Sequence, residues 1–139
     1  MCRSTPTPNV PHMPRPRADV CVRRLRAVCA GLPEVEERAG GEHGRHIAFI
    51  VRKRTFGYFT DDHHGDGRLA LIVKAPTGVQ GALVASDGER YFVPPYLGHR
   101  GWVGLRLDVG TVDWDEAREL LIESYCLSAP KKLAAVVTP

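Results

Sequence analysis

Apolar residues first recur at helical spacing after Asp19, where Cys21, Leu25, Val28 and Cys29 fall on one face and Gly31 and Pro33 end the run. The pattern predicts a helix over 19–30 whose outward face carries Arg23, Arg24 and Arg26. Between Val35 and Lys74 the period shortens to that of strands, with β-branched and aromatic runs over 46–51, 55–60 and 68–74 separated by charged or Gly/Asp turns. Three or four strands are expected there. Ile47, Phe49 and Val51 share one face of the first run. The turn Arg52-Lys53-Arg54 then leads into Phe56 and Tyr58, which reads as a hairpin with a basic tip.

Pro76 opens a short helix with Val79, Ala82 and Leu83 on its buried side, and Asp87-Gly88 closes it. A strand near 91–93, a Pro94-Pro95 corner and a strong strand at 102–107 follow. The last helix begins with Asp113 and Glu116 in capping-box spacing and carries Ala117, Leu120, Leu121 and Ser124 on one face to about Cys126. This order predicts an α+β fold, a mostly antiparallel sheet with flanking helices.

Composition sets the domain plan. The chain has 139 residues, 43% of them hydrophobic and 25% charged, which suits one soluble domain that needs no disulfide or structural metal to fold. Five of the eleven prolines lie within the first 17 residues, so 1–17 reads as a disordered Pro-rich tail. It is expected to be an inert leader, the alternative being that Arg3, Arg15 and Arg17 add weak affinity for a polyanion. A single domain is expected over 18–133 and a flexible C-terminus over 134–139. No apolar run reaches the roughly 20 residues of a membrane span. Cys2, Cys21, Cys29 and Cys126 show no metal or redox spacing and no secretory leader precedes them, so they read as reduced thiols in a cytoplasmic protein.

Charge says less than its distribution. Against a net +3, residues 1–100 carry 15 basic and 10 acidic side chains, while 101–139 carry 4 and 6. The positive excess therefore precedes the last helix.

Candidate chemistry is sparse. The turn from Asp61 to Asp66 offers His63, His64 and three carboxylates, but adjacent strand residues point to opposite faces, so it reads as a polar hairpin turn and not a metal site. No nucleophile elbow, phosphate loop, dinucleotide fingerprint or zinc-protease motif is present. The chain is expected to be a non-enzyme without a cofactor. The segment from Tyr96 to Leu107 is more informative. If Val103, Leu105 and Leu107 face the core, Trp102, Gly104 and Arg106 share the other face with Arg100 in line. An aromatic flanked by arginines suits stacking on a base while guanidinium groups meet phosphate; the alternative is that Trp102 packs under a helix while Arg106 reaches past it to solvent. Arg52, Lys53 and Arg54 form a second basic feature, a tip able to lie along a phosphate backbone.

The order of segments resembles the MmcQ/YjbR family, small bacterial proteins labelled DNA-binding. The resemblance rests on Leu32-Pro33-Glu34-Val35-Glu36-Glu37, the basic hairpin leading to Thr55-Phe56-Gly57-Tyr58, and Lys74-Ala75-Pro76. It continues through Phe92-Val93-Pro94-Pro95-Tyr96, Gly101-Trp102-Val103 with Leu105 and Leu107, and Ser124-Tyr125-Cys126-Leu127 before Lys131-Lys132, covering about 19–133. It implies a two-winged α+β arrangement and DNA as partner. With the residues read above, Arg52, Lys53 and Arg54 are expected to contact phosphate and Arg100, Trp102 and Arg106 to form a second contact face, and the protein is expected to be a monomer. Where relatives commonly have Gly-Lys at the hairpin, this chain has Lys53-Arg54. The charge is kept, but the residue that favours a tight turn is lost. The alternative reading is a small-molecule or protein-binding module using the 96–102 loop.

Overall fold

A computed structural model describes residues 16–40, 46–62 and 68–137. The first helix, α1 (Pro16–Ala30), starts three residues earlier than its apolar stripe suggests, with proline in the first turn, where no N–H is missed. Ala18, Cys21, Leu25 and Cys29 are its buried face. Arg17 does not belong to a tail: its Nε and Nη2 donate to the carbonyls of Leu107 at 2.9 Å and Gly110 at 2.8 Å, fastening the helix start to the segment that follows Arg106. The remainder of the expected tail, 1–15, lies outside the described residues.

Six strands follow, interrupted by helices: β1 (Val35–Gly40), β2 (His46–Val51), β3 (Arg54–Asp61), β4 (Leu69–Val73), β5 (Tyr91–Phe92) and β6 (Val103–Arg106). They form one antiparallel sheet in the order β1-β2-β3-β4-β6-β5. With the helices α2 (Val79–Ser86), α3 (Trp114–Ser128) and α4 (Lys131–Val137), the architecture is α+β, as the alternation of periods predicts. Among the described residues no helix is long and apolar enough to cross a membrane.

One face of the sheet builds the core. Phe49, Phe59, Leu71, Val73, Val103, Leu105 and Leu107 lie on it, buried together with residues of α1 and α3. The last of these helices is capped by Asp113, whose side chain accepts from the N–H groups of Asp115 and Glu116. It turns Ala117, Leu121, Ser124, Tyr125 and Ser128 inward. Gly57 lets it come close: a Cβ there would sit 3.0 Å from Leu121 Cδ1.

Beside that glycine the ladder slips. Phe49 pairs with Gly57 and Ile50 with Thr55, so Phe56 is an extra residue in β3, a β-bulge. Ser124 serves the bulge from the helix: its hydroxyl donates to the Phe56 carbonyl and accepts from the Lys74 N–H at 2.9 Å. One residue on, the Tyr125 ring meets Phe56 edge-on at 5.3 Å and its hydroxyl donates to the Pro33 carbonyl at 2.7 Å.

Two expectations are corrected. The short helix begins at Val79, not Pro76, with Gly78 at φ 89 before it, and none of its residues is fully buried. It lies beside the two-residue strand β5, with Leu83 and Val84 partly buried against the edge of the core. Nor is the expected C-terminus over 134–139 irregular from its start: residues 134–137 continue α4, whose first turn closes on the Pro130 carbonyl through the N–H groups of Leu133 and Ala134.

Replacing Ser124 by Ala strands the Phe56 carbonyl and the Lys74 N–H in a buried position. The expected cost is about 1–3 kcal/mol of unfolding free energy, read from urea melts; a loss within experimental error would show that the bulge does not need the hydroxyl.

Candidate nucleic-acid interface

The basic tip is a two-residue hairpin. Val51 pairs with Arg54, leaving Arg52 and Lys53 as the central residues, at φ 47 and 69. Positive φ at both positions is what a type I′ turn requires, and its twist matches that of the flanking strands. The tight turn thus forms without the glycine whose absence argued against it. Each left-handed residue with a Cβ costs roughly 1–2 kcal/mol. Part of the compensation is visible: Arg52 donates through Nε and Nη2 to Glu34 at 2.5 and 3.0 Å, tying the tip to the residue before β1. That bond holds the Glu34 carboxyl below its usual range and raises Arg52. Lys53 and Arg54 are exposed.

The second predicted feature divides differently. Val103, Leu105 and Leu107 do face the core, and Trp102, Gly104 and Arg106 the opposite side. Trp102 is only 5% exposed, however, with its ring 5.8 Å from that of Tyr58 and beneath the Lys74 ammonium, 5.7 Å away. The space above Gly104 is filled by the chain itself, since a Cβ there would lie 2.3 Å from the Phe92 ring. Arg106 donates to both oxygens of Asp108 at 3.1 and 3.2 Å. Arg100 ends a 3₁₀ turn (Gly98–Arg100) and is exposed.

Lys74 joins the two features. It continues the alternation of β4 onto the Trp102 side, beyond Ile72. Burial holds its ammonium below the usual lysine range, and the guanidinium groups of Arg54 and Arg100 push it further the same way. The hairpin and the 3₁₀ turn therefore place Arg54 and Arg100 where both guanidinium charges act on one lysine. No ion pair to a carboxylate holds any of the three among the described residues. Lys74 was visible in the sequence only as part of Lys74-Ala75-Pro76; its period-2 relation to Ile72 was the overlooked signal.

The same face of the sheet carries a groove of about 430 Å³. Ala48, Tyr58, Thr60 and Ile72 form its floor, Arg38 and His46 one side, and Pro95, Tyr96 and Leu97 the other. The 96–102 loop thus splits, its beginning lining the groove and Arg100 joining the cation cluster.

Other candidates are inert or partly out of view. Burial raises the thiol of Cys21 and pushes that of Cys29 up to about 12, so neither is a thiolate near neutral pH. Asp61 is buried at the end of β3 and the Asp62 N–H donates to the Arg68 carbonyl at 2.8 Å. Positions 63–67, with both histidines of that turn, lie outside the described residues.

The family model described as YjbR matches residues 30–127, from the end of α1 into α3. Among solved structures, the crystal structure of the Deinococcus radiodurans protein DR2400, with domain DUF419, is similar at TM-score 0.63 and 28% identity over 76% of each chain. No curated protein matches the chain.

Two measurements check this geometry. Lys53→Gly, which relieves a left-handed side chain, is expected to stabilise the fold by about 0.5–1 kcal/mol in urea melts, net of the freedom glycine adds to the unfolded chain. Lys74→Met is expected to leave stability at pH 7 unchanged or higher. The native chain then gains on that variant as pH rises from the lowered Lys74 pKa to the unfolded value of about 10.4, because in that window the unfolded state binds more protons. Melts of both proteins at pH 7 and pH 10 measure the difference, and a flat or falling one contradicts the assignment.

Proposed function

The chain belongs to the YjbR family, and from that premise we propose that it binds DNA through the phosphate backbone, with Lys53, Arg54, Lys74 and Arg100 as the contacts. The observation that carries this reading is the convergence of Arg54 and Arg100 on a partly buried lysine. Like charges held together in a half-dry setting destabilise the fold, and a bound phosphate offsets that repulsion. Arginine contributes a planar fork to phosphate and lysine a point charge, so the cluster offers both kinds of contact.

Arg52 and Arg106, engaged with Glu34 and Asp108, shape the turn and the strand end. Trp102 acts as the floor beneath Lys74 instead of a surface for a stacked base. Binding of this kind reads charge spacing and not base sequence. This reading gives the chain a non-catalytic role.

Fluorescence anisotropy with short single- and double-stranded DNA across a salt series tests it. Each neutralised phosphate contributes about −0.9 to the slope of log affinity against log salt for duplex, so four contacts give a slope of about −3 to −4. Arg54→Ala and Arg100→Ala should each weaken binding and flatten the slope by about 1, whereas Arg52→Ala changes it little. Absence of binding at low salt, or binding indifferent to the Arg54/Lys74/Arg100 triple alanine variant, would sink the proposal.

A further inference from the structure

We propose that the groove on the open face of the sheet is a second binding site, for a small amphipathic anion consisting of a flat apolar body and one carboxylate. It goes beyond the DNA-backbone reading and does not depend on it. Cross-strand pairing builds the floor: Ala48 lies opposite Tyr58, and Tyr58 opposite Ile72, so the three side chains share one face. Alanine at the first position leaves room where a larger residue would fill the space. The volume of about 430 Å³ falls within the range of small-molecule sites, roughly 300–1,000 Å³.

The wall opposite is preformed. Tyr96 is 76% exposed and held at φ 68, a left-handed conformation that a residue with a side chain rarely takes. Two backbone bonds fix it there, from the Leu97 N–H to the Pro95 carbonyl at 2.7 Å and from the Gly98 N–H to the Pro94 carbonyl at 2.9 Å. Local strain kept in place by surrounding bonds is a feature of binding sites. Tyr58 and Tyr96 offer rings to a planar body, which favours an aromatic ligand over a branched one.

Charge selects an anion. Arg38 pairs with Ala48 across the ladder, which places it on the groove side of β1, and it is exposed with no carboxylate partner among the described residues. The described lining contains Arg38 and His46 and no Asp or Glu. Beyond Tyr58, the Trp102 ring with Lys74 above it extends the positive field. A carboxylate at the Arg38 end forms a two-pronged guanidinium contact while its apolar body covers Tyr58 and Ile72.

Calorimetric titration of the full chain with naphthalene-2-carboxylate and with its neutral counterpart 2-naphthamide tests this. Saturable one-to-one binding of the carboxylate is expected, about tenfold tighter than the amide. Arg38→Gln should remove that tenfold advantage and leave amide binding unchanged. Ala48→Leu, which fills the floor, should abolish binding of both probes; Tyr96→Ala, at an exposed position, should weaken both and serves if the former variant fails to fold. Equal affinity for the two probes, no saturation, or carboxylate binding indifferent to Arg38→Gln overturns the proposal. The Arg54/Lys74/Arg100 triple alanine variant separates the two sites: it should lose DNA and keep the amide.

Discussion

The contact between α3 and the bulge in β3 is the constraint on which the rest of this protein depends. A bulge leaves a strand carbonyl outside the ladder, and a buried carbonyl without a donor is costly. Ser124 supplies the donor and at the same time holds the first N–H beyond β4. Tyr125 adds a ring against Phe56 and a hydroxyl on Pro33, and Gly57 admits Leu121. A single helical turn thus fixes the hairpin, the exit of β4 and the entry to β1. The residues it fixes are Glu34, which holds Arg52, and Lys74, which gathers Arg54 and Arg100.

From this anchor the sheet acquires two unlike sides. The side under α1 and α3 is filled, and every strand from β2 to β6 contributes buried residues to it. On the other side, toward β5 and β6, the Phe92 ring closes over Gly104, and the segment that follows Phe92 is tied down by Gln80, which donates to the carbonyls of Gly98 and Trp102 at 2.8 and 2.6 Å. Toward β1 and β2 no described element covers this side, and the groove lies there. Cations flank that open region at both ends, Arg38 on one and the Lys74 cluster on the other. The mild net charge of +3 hides this local arrangement.

The candidate site was legible in part. The basic tip and the face opposite the Val103-Leu105-Leu107 stripe were both found from alternation and charge. Which of their residues stay available was not. Arg52 and Arg106 read as two more positive charges until Glu34 and Asp108 are seen against them, the first from a turn 18 positions away. Trp102 read as a platform because alternation says which side of a strand a residue takes, not what covers it. Lys74, which gathers the cations, was only one letter of a motif.

The amino-acid sequence alone determined the classes of element, the antiparallel order of the first strands, the inward faces of α1 and α3 and the basic hairpin. Those follow from periods of 3.6 and 2 and from turn chemistry, all local in the chain. Tertiary structure decided the edge position of β5, the extension into α4, the bulge served by Ser124, the burial of Trp102 and the meeting of Arg54, Lys74 and Arg100. Each of these depends on groups distant in the chain and on which polar atoms a neighbouring element satisfies, and no local period encodes that.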